Sequence, residues 1–233
     1  MKANLKTINR YFKVSSQILK CHLSPMELGV YFAIASFVNK KNDTAIVRYC
    51  VIANRLNVSK RSVARSVKAL SEKGLIYLTK RYTIDGYKLC YSFKLRTFVG
   101  GFKLCLPYDC FNLSPSALMI YAHLTAYSNK KSGFVTISLN QLAHRSNLSL
   151  CTVINDLKEL CSNGLINKRF YIKLDGGFGH NYYYILSALV VANNNDKHSV
   201  LELKIKKKVF EIEFSKSNRL DIASEFIYLK SLA

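Results

Sequence analysis

The chain has 233 residues, enough for one large domain or two small ones with separate cores, and its 49% hydrophobic and 21% charged residues are those of a globular protein, not a disordered one. Against 14 Asp and Glu stand 35 Lys and Arg, a net charge of +21 that points to a polyanionic partner, nucleic acid or an anionic membrane surface. No apolar run approaches the roughly 18–20 residues of a membrane span, and the seven cysteines hold no C-x-x-C pair, which fits reduced thiols in a cytosolic setting.

In chain order, the basic start "MKANLKTINRYFKVSS" has no apolar core behind it and is not a secretory signal. Ser24-Pro25-Met26-Glu27 reads as a helix start, with Ser at the cap, Pro at the first position and Glu closing a capping box. Leu28, Tyr31, Phe32, Ala35 and Val38 supply its apolar face. A polar turn at "NKKND" leads to a short β-rich piece, Ala45-Ile46-Val47, and then to a second helix. The turn Asn57-Val58-Ser59 opens a third helix, whose Val63, Val67 and Leu70 recur at i, i+4 and i+7 and bury one stripe. Gly74 ends it, and two strands follow with a turn at Asp85-Gly86.

The same order then repeats ninety residues later without a gap. "LSP" at Leu23–Pro25 meets "LSP" at Leu113–Pro115, "NKK" at 39–41 meets 129–131, and Gly74-Leu75-Ile76 meets Gly164-Leu165-Ile166. In the second copy Ser138 and Gln141 form a further capping box, and Val153, Leu157 and Leu160 repeat the buried stripe. Its two strands turn around Asp175-Gly176-Gly177. The expected domains are therefore repeat one at 9–96, repeat two at 99–187, and an extension at 188–233. In that extension "VLELKIKKKVFEIEF" alternates like a hairpin, and Asn218–Leu232 reads as an amphipathic helix. A hairpin and helix this small must pack back on the repeats or join a second chain as a homodimer.

Helix, short strand, helix, tight turn, helix and hairpin, with S-x-x-[ST]-V-x-x-x-[VL]-K-x-L-x-x-x-G-L-I at Ser59–Ile76 and Ser149–Ile166, resembles the winged helix-turn-helix family of bacterial and mobile-element regulators. The resemblance implies an α+β fold, mostly α, in which each third helix enters a DNA major groove and each hairpin wing touches an adjacent groove or phosphate. On copy one it assigns double-stranded DNA contact to Ser59, Lys60, Arg61, Ser62, Arg65 and Lys68, with Lys80, Arg81 and Lys88 on the wing. On copy two it assigns Ser149, Thr152, Asn155 and Lys158, with Lys168, Arg169 and Lys173 on the wing.

The chemistry suits those positions. Arg pairs bidentately with guanine, Asn with adenine, and Leu or Thr methyls with the thymine methyl. The copies differ in charge, because residues 1–96 hold 19 basic and 4 acidic side chains while 97–187 hold 8 and 4. Phosphate affinity is therefore assigned chiefly to copy one. Asp156 and Glu159, new in copy two, are expected beside the groove, repelling phosphate. Copy two then either reads a second, unlike half-site beside Leu150, Cys151, Thr152 and Asn155 or has become a protein-contact surface.

No catalytic constellation stands out, and Gly176-Gly177-x-Gly179 falls in a hairpin turn, not before a helix as a nucleotide fingerprint requires. The five histidines are scattered, no metal or other cofactor is called for, and no ligand domain invites a small molecule. The sequence reads as a non-enzymatic, sequence-specific double-stranded DNA-binding protein of the nucleoid. Transcriptional regulation is the first role, replication initiation or conjugation for a plasmid or phage the second, and protein interaction through repeat two the third.

Overall fold

The structure, a computed structural model, describes residues 11–39, 43–82, 88–129, 133–169 and 181–186. The expected wing turns, with Lys173, and the whole C-terminal extension lie outside the described residues.

The first repeat runs β1 (Tyr11–Ser15), a 3-10 turn (Ser16–Lys20), α1 (Pro25–Ala35), β2 (Thr44–Val47), α2 (Tyr49–Leu56), α3 (Lys60–Glu72), β3 (Ile76–Tyr82) and β4 (Lys88–Leu95). The second runs β5 (Lys103–Pro107), a 3-10 turn (Tyr108–Asn112), α4 (Pro115–Tyr127), β6 (Phe134–Thr136), α5 (Leu139–Ser146), α6 (Leu150–Ser162), β7 (Ile166–Arg169) and β8 (Tyr182–Ile185). Each repeat folds its last strand between the other two, in the antiparallel orders β2-β4-β3 and β6-β8-β7.

The helix boundaries follow from the sequence locally. Ser24 accepts from the Glu27 amide at 3.3 Å while Glu27 Oε2 accepts from the Ser24 amide at 2.7 Å, closing the capping box. Ser138 and Gln141 do the same for α5, whereas Arg48 leaves α2 without a side-chain cap, which is why that helix is the faintest in the sequence. Gly74 and Gly164 stand at φ +63° and +66° just past the ends of α3 and α6, a left-handed conformation that a side chain would strain. On α3 the residues Val63, Val67 and Leu70 are buried, and on α6 Val153, Leu157 and Leu160, as the periodicity predicts.

One element the sequence did not reveal is the join. Among the described residues β1 and β5 pair only with each other, antiparallel, and the register sets Val14 opposite Leu104. These two residues occupy the same place in their repeats, ninety positions apart. Lys13 faces Cys105 and Ser15 faces Lys103, so the pairing reads the same from either repeat. α1 packs on α4, its counterpart. The repeats are thus related by a pseudo-two-fold axis through the Val14–Leu104 pair, and their cores are continuous. The described residues all fall in one compact unit. Phe12 on β1 stacks on Phe111 of the second repeat with ring centroids 5.2 Å apart. At the turn into β5, Gly101 (φ +77°) passes 2.9 Å, measured from where a Cβ would sit, from Gln17 Cγ, so only glycine fits there.

Candidate nucleic-acid interface

Between α2 and α3 the chain turns in three residues. Asn57 takes a left-handed conformation (φ +51°), as Asn147 does in repeat two (φ +53°), and Asn is among the few side chains that tolerate it. Ser59 then caps α3, accepting from the Ser62 amide at 3.1 Å, and its hydroxyl lies 2.9 Å from that of Ser62. Ser149 and Thr152 repeat this arrangement on α6, at 3.1 and 2.8 Å. These four hydroxyls therefore fix the start of each third helix, and the Ser62 and Thr152 side chains are half-buried.

With the apolar stripe facing the core, the outer face of α3 carries Lys60, Arg61, Arg65 and Lys68, all exposed. No hydrogen bond or ion pair among the described residues engages Lys60, Arg61 or Arg65. Lys68 lies 3.8 Å from Glu72 one turn on, a solvent-exposed pair worth little. Lys80 is exposed on β3, opposite Tyr91 of β4, and Arg81 and Lys88 belong to the far ends of the same two strands. Four cations on one helix face beside a basic hairpin form a surface that a phosphate backbone would fit.

The outer face of α6 has a different chemistry. Leu150 and Ile154 are exposed at 44% and 39%, with Cys151, Asn155 and Lys158 exposed among them. Ile154, where repeat one has Ala64, was not singled out by sequence reasoning; its place in the helical period between two buried positions was the available signal. Arg169 ends β7, and Lys168 before it is half-buried, where burial holds its ammonium below the usual range while the nearby Cys161 thiol opposes that.

The structure corrects the expectation for Asp156 and Glu159, which do not face the groove. Asp156 is 5% exposed, and its Oδ1 accepts from the Ser116 hydroxyl at 2.9 Å. Burial raises its carboxyl, with Ser116 opposing and Glu159 adding to the rise. Glu159 accepts from the Ser114 amide at 2.6 Å and the Ser114 hydroxyl at 2.7 Å, at the start of α4. The physical reason is a helix N-terminus that needs a carboxylate. In repeat one Glu27 supplies it from within α1, and Lys73, just past α3, binds that carboxylate at 2.9 Å. Burial pushes the Glu27 carboxyl up, but hydrogen bonds from Lys73 and Ser24 together hold it below its ordinary value. In repeat two Ala117 replaces Glu27, and Glu159 reaches over from α6 instead.

A helix-turn-helix domain model matches the chain over residues 22–76 and again over 112–166, each match running from before the first helix to the first residue after the third-helix turn. The chain carries two helix-turn-helix domains in tandem. The starts of the two matches lie ninety residues apart, the offset of the repeat itself. Among solved structures the chain is similar to the crystal structure of Pi initiator protein in complex with iteron DNA, at 11% sequence identity and a TM-score of 0.48, over 78% of this chain and 97% of that one. No curated protein sequence matches the chain. Among the described residues of the helix-turn-helix domains, no helix is long and apolar enough to cross a membrane.

Proposed function

We propose that the chain is a non-enzymatic protein that binds double-stranded DNA sequence-specifically through α3 and α6, one half-site for each. The carrying observation is the outer face of α3, where Lys60, Arg61 and Arg65 project beyond a capped helix start with no hydrogen-bond or ion-pair partner among the described residues. Arg61 and Arg65 are the base readers in this reading, and Lys60, Lys68, Lys80, Arg81 and Lys88 hold phosphates. On repeat two, Leu150 and Ile154 meet thymine methyls, Asn155 reads adenine, and Thr152, Lys158, Lys168, Arg169 and Lys173 complete the contacts, with Ser59, Ser62 and Ser149 setting each helix start. The nearly uncharged face of α6 supports direct base contact rather than phosphate affinity as its contribution.

The pseudo-two-fold axis adds a geometric expectation. Two readers related in this way address inverted half-sites, about 34–36 Å apart when they occupy successive major grooves. The half-sites differ in sequence because the two helices differ in chemistry. A transcriptional regulator would meet one such site at a promoter, and a replication initiator would meet several clustered together. Selection of bound sequences from random duplexes by the full chain tests the reading. Recovery of two unlike, inverted half-sites is expected; recovery of one half-site only, or of no sequence preference, would overturn it.

A further inference from the structure

The seam between the repeats is reciprocal in backbone but unequal in filling. On one side Tyr108 and Phe111 of repeat two close over Arg55, their rings 5.4 and 5.5 Å from its guanidinium, and Phe37 covers it at 3.8 Å. Tyr108 also donates its hydroxyl to the Ser36 carbonyl at 2.9 Å. On the pseudo-symmetric side the equivalents of Tyr108 and Phe111 are Ile18 and Cys21. Arg145, equivalent to Arg55, lies 3.9 Å over the Tyr127 ring, the one ring it covers among the described residues. On this side, with Ile18 in its lining, a cavity of about 350 Å³ lies between the 3-10 turn and α1 of repeat one and the α4–α5 region of repeat two.

Its lining is divided. Ile18, Leu23, Leu28 and Met119 supply its apolar part, and His22, His123 and Arg145 supply nitrogen-bearing side chains. His123 is 4% exposed, and its Nδ1 is buried with no hydrogen-bond partner, an arrangement native proteins rarely leave unexplained. Burial, and then the charge of Arg145, lower its pKa to about 4, so the ring is neutral near pH 7. Within the lining Lys73 and Glu27 neutralise each other at 2.9 Å, which leaves Arg145 as the charged group with no opposing partner among the described residues. Stacked on Tyr127, a guanidinium keeps its N–H edge available to an oxyanion.

We propose that this cavity binds a small organic anion, a carboxylate or phosphate head on an apolar body, with the head against Arg145 and His22 and the body on the Ile18–Met119 wall beside His123. The volume is at the lower end of the range for small-molecule sites, which fits a ligand of about a dozen heavy atoms. The lining includes Lys73, which caps the end of α3, and Asn147, which caps α5 three residues before α6 begins.

The test is proton NMR of the full chain without DNA, titrated with octanoate, 3-phenylpropionate and phenyl phosphate up to about 10 mM, following the His123 ring resonances assigned through His123→Gln. At least one probe is expected to shift them saturably with a Kd near or below about 1 mM. Ile18→Tyr, which installs the residue that fills the opposite side, is expected to abolish the shift, and Arg145→Gln to weaken it at least tenfold. If Ile18→Tyr does not fold, Ser146→Leu, which installs the counterpart of Leu56, serves in its place. Absence of a saturable shift with all three probes, or a shift that survives filling of the cavity, overturns the proposal.

Discussion

Position 69 of repeat one is Ala and the matching position 159 of repeat two is Glu; position 27 is Glu and the matching 117 is Ala. Both repeats therefore deliver one carboxylate to the N-terminus of their first helix, but from opposite sides of the contact between first and third helices. Charge on a third helix therefore cannot be assigned to the DNA face by counting. Glu159 is turned to a helix end, and Asp156 is buried against Ser116, so neither stands on the exposed face of α6. The real contrast between α3 and α6 is a cationic face against an apolar one.

The largest effect is expected at the seam. Phe12→Ala should cost roughly 3–5 kcal/mol of unfolding free energy, because a buried ring is removed from a stack shared by both repeats. One cooperative transition, shifted for both repeats together, is expected in calorimetry; two separate transitions, with only the first displaced, would show that the repeats fold independently.

The acid limb of stability should also be one-sided, since His123 has its counterpart in Ala33. Its pKa falls from the ordinary 6.5 to about 4 on folding, so between those values the unfolded chain binds more protons. Stability is therefore full above about pH 6.5 and declines as the pH falls toward 4, by up to about 3 kcal/mol from this residue at the rate of 1.36 kcal/mol per pH unit. Denaturation of His123→Gln across that window should show a shallower slope; an unchanged slope would place the proton uptake elsewhere.

Next in size are Arg61→Ala and Arg65→Ala, each expected to weaken binding to the selected duplex by roughly 1–3 kcal/mol while affecting random duplex less. Equal losses on both DNAs would make the side chain a phosphate contact. Lys80→Ala should weaken both alike and flatten the salt dependence.

The capping carboxylate gives the sharpest contrast at a similar energy. Glu159→Ala should destabilise the fold by about 1.5–3 kcal/mol, the worth of charged hydrogen bonds, and leave DNA affinity unchanged. Tighter DNA binding by this variant would restore the repulsion reading. Adding Ala117→Glu should recover part of the stability by rebuilding the capping box of repeat one. The smallest effect is expected from Leu150→Ala with Ile154→Ala, which should relax selectivity in one half-site only; unchanged selectivity with lost self-association would make α6 a protein contact.

Much of this was legible from residue spacing. The capping boxes, the buried i, i+4, i+7 stripes and the glycines after α3 and α6 are local signals, and the ninety-residue offset made each repeat check the other. β1 and β5 were not legible, because five-residue strands whose partners lie about ninety positions away leave no local trace. Glu159 was misjudged for a related reason. Its partner, Ser114, sits 45 residues earlier, and only the packing of α4 on α6 brings them together. The cavity at His123 is lined from both repeats, which no periodicity records.

The ladder through Val14 and Leu104 has a consequence for how the protein works when scarce. Two readers held by such a seam as separate chains would part on dilution, and their joint grip on DNA would fall with the square of copy number. Tethered by the short stretch between β4 and β5, each reader instead sees its partner at a fixed local concentration of the millimolar order or higher. Under the two-reader binding proposed above, occupancy of a DNA site by single chains would follow the number of molecules linearly.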